Sequence, residues 1–134
     1  MWHGPALAPL LDGITDAQAG AKPIPGAHSI WEIVLHVTAW AEIARARVQG
    51  ERIGDPTPQE DWPPAGTGPD GWRRALEQLT ASHNALAGDV RDLTEEALAA
   101  KVGELDYTVE VLLHGVVEHG TYHGGQIALL RKMV

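Results

Sequence analysis

"SIWEIVLHVTAWAEIARARV", residues 29–48, decides the fold. Its first four residues form a capping box: Ser29 can accept from the backbone N–H three residues on, while Glu32 reaches back to the N–H of Ser29. From there Ile30, Ile33, Val37, Ala41, Ala44 and Val48 recur at helical spacing, which predicts a long amphipathic helix over 30–48. Trp31 and Leu35 fall on its other side. A helix that is apolar on two sides has to be covered on both, inside a bundle or between subunits.

The stretches around it are helical too. Residues 5–13 ("PALAPLLDG") read as a short first helix interrupted by Pro9, and "TDAQ" (15–18) can cap one more turn before Pro23, Pro25 and Gly26 break the chain. Residues 50–69 are rich in Pro, Gly and acids and read as one long linker, with Trp62 pinned to the body. About 20 residues reach roughly 60 Å when extended, twice the length of a 20-residue helix, so this linker can carry the chain back along a whole bundle. A third helix is expected over about 71–90, on a stripe of Trp72, Leu76, Leu79, His83, Leu86 and Val90. "TEEALAAK" (94–101) reads as a short capped helix. The last helix starts near Thr108, with Glu110 in its first turn and Arg131 and Lys132 at its end, each complementing the helix dipole. No stretch alternates as a strand does. The fold class is therefore all-α: a four-helix bundle in one domain spanning 1–134, with the long crossover between helices 2 and 3.

Composition narrows the function. The chain has 134 residues, a net charge of −8 and no Lys/Arg cluster, which disfavours a nucleic-acid partner. Cysteine is absent, so no protein thiolate can ligate a metal or act as nucleophile. The start "MWHGPALAPLL" lacks the basic residues of a signal peptide and no apolar run approaches a membrane span, so a cytoplasmic location is expected.

The chemistry concentrates in the last helix. Leu112, Val116, His119, His123, Ile127 and Leu130 share one narrow stripe, which puts two histidines one turn apart on the buried face. A buried imidazole without a partner costs about 1–3 kcal/mol, and one divalent cation can serve both rings. A third ligand should come from a neighbouring helix, and His36, on the flank of its own apolar stripe beside Val37 and Trp40, is the best placed. Each of these histidines has a second reading, as a hydrogen-bonded core residue, and spacing does not choose between the two. His83 can be a fourth ligand, a pocket acid/base or a core residue; His3, His28 and His114 read as solvated. Glu32 is committed to its cap, Glu118 projects off the histidine face, and Gln126 flanks it, where it can orient a ligand. Gly115, Gly120, Gly124 and Gly125 are costly inside a helix and suggest close approach by another helix, the alternative being that they only loosen or kink it.

The pattern "HSIWEIVLHVTAW" (28–40), followed by "LLHGVVEHGTYHGGQIALLRK" (112–132), resembles the DinB superfamily, with "WHGPAL", "DWPP" and "YTVEVLLHG" extending the likeness over nearly the whole chain. The resemblance implies an up-down-down-up four-helix bundle and a metal, zinc or nickel, held by His36, His119 and His123. It also implies a homodimer and a small-molecule substrate, with thiol S-transfer to or from low-molecular-weight thiols among the activities. Three neutral imidazoles leave the ion's charge uncompensated and a position open, as in metal-dependent transferases and hydrolases. The competing reading is a binding module in which the metal staples the bundle, for which a fourth protein ligand is expected.

Overall fold

The computed structural model describes residues 6–51 and 54–134; the readings at His3 and at the start of "WHGPAL" lie outside them. The described residues form seven helices: α1 (Leu7–Leu11), α2 (Asp16–Gly20), α3 (Ile30–Val48), α4 (Pro58–Asp61), α5 (Gly68–Arg91), α6 (Glu95–Ala99) and α7 (Val109–Leu130). Among them no strand forms, only an isolated antiparallel bridge between Lys101 and Thr108 that closes the loop before α7. None of these helices is long and apolar enough to cross a membrane.

The predicted capping signals set four of the helix starts. Thr15 with Gln18 and Ser29 with Glu32 both form reciprocal capping boxes, and the hydroxyls of Thr94 and Thr108 accept from Ala97 and Val111 N–H. The first helix read over 5–13 forms as α1, and the extra turn that "TDAQ" caps forms as α2. Pro9 does not break α1, because it occupies the first turn, where its missing N–H would have no intrahelical partner anyway. Arg131 also departs from expectation. Its guanidinium donates to the carbonyls of Leu10 at 2.8 Å and Pro9 at 3.2 Å, at the end of a helix too short to satisfy them.

Helix α3 is the hub, packed on both α5 and α7. Gln78 of α5 bonds Glu42, while Arg45 and Gln49 both bond Asp89 near the end of α5, so α3 and α5 run in the same direction. That parallel course is what the long crossover permits. Helix α7 runs the other way, since His36 meets His119 while Arg47, further along α3, meets Tyr107 just before α7. Two apolar clusters result. One gathers Leu11, Ile14, Trp31, Val34, Trp72 and Ile127; the other gathers Ala41, Ala44, Leu86, Val102 and Leu112. Both sides of α3 are thus covered. Trp72 ties α5 to the turn between α1 and α2 through a 2.8 Å bond from its Nε1–H to the Ile14 carbonyl.

The glycines pack differently from the sequence expectation. In α7, Gly115 and Gly125 face open space, and Gly120 and Gly124 meet only Leu7 and Leu10 of α1, at ordinary contact distance. The tight approach lies elsewhere: a Cβ on Gly66 or Gly71 would come within 3.2 Å of the Trp31 ring. Gly125 therefore burdens α7 with backbone freedom and nothing in return. Gly125→Ala is expected to stabilise the protein by about 0.5–1 kcal/mol, read as a small rise in thermal midpoint; a fall would show a hidden contact there.

Candidate metal centre

The three predicted histidines come together at the junction of the two apolar clusters. His36 projects from α3 next to Val37 of the first cluster and one turn before Ala41 of the second; His119 and His123 project from successive turns of α7. His36 and His123 are each 5% exposed, and His119 is partly buried. The Nε2 of His119 lies 2.9 Å from Nε2 of His36 and 3.1 Å from Nε2 of His123. Together they form a group able to hold a metal ion, with ligand atoms all within 4.8 Å of one another.

The outer nitrogens fix what the inner ones offer. Nδ1 of His36 sits 2.6 Å from the backbone carbonyl of Asp61, and Nδ1 of His123 sits 2.7 Å from Oε1 of Gln126. Both oxygens can only accept, so in the neutral rings both Nδ1 atoms carry the proton and both Nε2 atoms present lone pairs. Both lone pairs face a single atom, Nε2 of His119, which as a neutral imidazole nitrogen has at most one proton to give. The cluster is therefore under-satisfied as three rings alone, and a cation could complete it. Two nitrogens each about 2.05 Å from one ion stand about 2.9 Å apart at a right angle and about 3.3 Å at a tetrahedral angle, close to the spacings here.

The family model of the DinB superfamily matches residues 2–127. The chain belongs to the DinB superfamily. No curated protein and no solved structure matches it.

In this DinB-superfamily chain the linker builds much of the site. A Thr57–Glu60 capping box starts α4, which delivers Asp61 and Trp62 to the histidines. Besides its carbonyl bond to His36, Asp61 accepts from Trp40 Nε1 at 2.7 Å. Trp62 stacks on His36 at 3.8 Å between ring centroids and 6° between planes, and on its other face His28 stacks at 3.5 Å. His28 is thus exposed, as expected, yet its ring is held in place; Glu32 bonds it at 3.3 Å while also taking the Lys22 ammonium at 2.8 Å. Burial works against the Glu32 charge, but Lys22 and the Ser29 N–H outweigh it and hold the carboxyl below its usual range. His83 does not join the cluster: its Nδ1 bonds the Leu79 carbonyl of its own helix at 2.9 Å. His114 is exposed.

Two clefts flank the cluster and share His36. One, of 480 Å³, opens on the His119 side between α3 and α7; the other, of 630 Å³, opens on the His123 side and is lined by His28, Trp62, Tyr122 and Gln126. Both volumes lie in the usual range of small-molecule sites.

Electrostatics keep the rings neutral. Burial lowers all three pKa values, and the neighbouring His123 and His36 charges take His119 further, down to about 4. Hydrogen bonds from His36 to Asp61 and from His123 to Gln126 oppose the burial effect only in part. Since unfolded histidine takes its proton near pH 6.5, acid favours the unfolded chain. The stability of the metal-free protein should hold above about pH 6.5 and decline as the pH falls toward about 4. Urea midpoints across that range check this; a flat profile would mean that the rings titrate normally.

Proposed function

We propose that the chain is a metal-dependent enzyme in which His36, His119 and His123 hold a divalent ion, zinc or nickel, and small molecules react in the clefts beside it. The observation that carries this reading is the convergence of two tautomer-fixed Nε2 lone pairs on a third imidazole nitrogen. The bundle reading belongs with it: α1 and α2 stand in for one broken rod, and α3, α5 and α7 supply the other three in up-down-down-up order. When bound, such an ion supplies Lewis acidity, enough to acidify a ligating water or thiol by several pKa units. The chain's own residues do the rest. Asp61 and Gln126 keep the ligand nitrogens facing inward, Trp62 and Trp40 shield them from water, and His28, bonded to Glu32, can take a proton released into the second cleft. A stapling role for the metal is less well supported, because among the described residues no fourth histidine, cysteine or carboxylate belongs to the group.

The reaction class we favour is S-transfer from a low-molecular-weight thiol, with metal-assisted hydrolysis as the alternative within the same site. Family membership also supports a homodimer. A chlorinated aromatic tests the transfer: sulfur bonds to carbon, chloride leaves and the thiol proton passes to solvent. Zinc- or nickel-loaded protein should accelerate conjugation over the metal-free protein, and His123→Ala should remove the acceleration. Equal rates in all three would eliminate transfer for this substrate class.

A further inference from the structure

Arg47 is the feature that the metal site leaves unexplained. It lies eleven residues beyond His36 on α3, about 16 Å along the helix axis, yet it lines the same 480 Å³ cleft. Its residue is 6% exposed, so this is a buried cation. Nη1 donates to the Tyr107 hydroxyl at 2.8 Å and Nη2 to the Gly54 carbonyl at 3.2 Å. The carboxylate it meets, Asp55, stands 3.4 Å away on a side chain 94% exposed. Nε–H is buried without a hydrogen-bond partner among the described residues. Buried charges are normally matched by a close anion and buried donors by an acceptor, and this guanidinium has only a weak match for the first and none at Nε for the second. Between Arg47 and the histidines the cleft is apolar, walled by Trp40, Val111, Leu112 and Val116; the guanidinium itself lies 5.7 Å from the Trp40 ring.

We infer that this cleft takes an elongated small molecule whose terminal carboxylate is seated on Arg47, whose apolar middle lies along Trp40 and Leu112, and whose reacting end reaches His36 and His119. The last clause rests on the metal reading above; the carboxylate seat does not. Arg47 is then a specificity residue, selecting acids over neutral molecules of the same shape through its charge.

Calorimetric titration of the metal-free protein with octanoate and with octanamide tests the seat, because without an ion the carboxylate has no competing site on one. Octanoate should bind at least tenfold more tightly than octanamide, and Arg47→Gln should erase that preference while leaving octanamide binding in place. Should Arg47→Gln fail to fold, the Arg47 Nε resonance of nitrogen-labelled wild-type protein provides the readout, and it should shift saturably with octanoate and not with octanamide. Equal affinities in the wild type, a preference that survives in folded Arg47→Gln, or an unmoved Nε resonance overturns the proposal. Metal content separates the two readings. Stoichiometric metal without acid preference removes only this subsite, and acid preference without retained metal removes only the metal centre.

Discussion

Replacing His119 with alanine is expected to abolish stoichiometric metal binding, weakening affinity by more than the 10- to 100-fold typical of losing an outer hydrogen bond to a ligand. His119 is the decisive position because its Nε2 faces both of the other rings; without it the Nε2 atoms of His36 and His123 no longer share a common neighbour. A ligand at a thousand times its dissociation constant stabilises the fold by about 4 kcal/mol, which for a chain of this length is on the order of 10 °C in thermal midpoint. Wild-type protein should show a rise of that order on adding zinc or nickel, and His119→Ala should show almost none. In the metal-free state the variant should melt within a few degrees of wild type, since His119 is only partly buried and its removal relieves the crowding of unsatisfied nitrogens. Scanning calorimetry with and without metal measures both. A full metal-induced rise in the variant would contradict the assignment.

Trp31→Ala is expected to do the opposite, with a large loss of stability and no direct effect on the ligands. Trp31 is 3% exposed, stands 5.4 Å from Trp72 between ring centroids and is pressed upon by the backbone at Gly66 and Gly71. Those glycines leave no side chain to collapse into the space the indole would vacate. Truncating a buried aromatic of this kind costs about 3–5 kcal/mol, and a site that cannot relax lies toward the upper end. Chemical denaturation should show the unfolding free energy lowered by that amount, and the folded fraction should still take up one metal equivalent. A loss under about 1 kcal/mol would mean that the α3–α5 junction is looser than the contacts describe.

The two variants also mark what could be read from the sequence. Helix α3 runs over the residues its capping box and apolar spacing predict, because both signals are local. His119 and His123 were legible for the same reason: one turn of helix fixes their relation whatever the rest of the chain does. His36 could be named as the best-placed third ligand from its helix, but only the family resemblance favoured it over a core role, since its meeting with His119 depends on how α3 and α7 cross. The linker was the least legible part. Its Thr57–Glu60 capping box was present in "TPQE", but four residues among prolines and glycines carry no apolar periodicity, so α4 went unread, and with it the carbonyl of Asp61 and the Trp62 stack. Arg47 carries no signal of its own in the sequence, and only the fold shows that Tyr107 and the linker enclose it. The glycines of α7 misled for a physical reason. Their helical cost is a local property, whereas the close approach that would explain them is tertiary, and it occurs at Gly66 and Gly71 instead.

X-ray absorption at the metal edge of protein loaded with one equivalent of zinc and dialysed is the most direct measurement. Three imidazole nitrogens at about 2.0–2.1 Å are expected, with a lighter oxygen-type neighbour at the remaining position, and the imidazole signature should drop when His119 is replaced. A protein that retains no metal through dialysis, or one whose metal spectrum is identical in wild type and His119→Ala, would contradict the three-histidine centre.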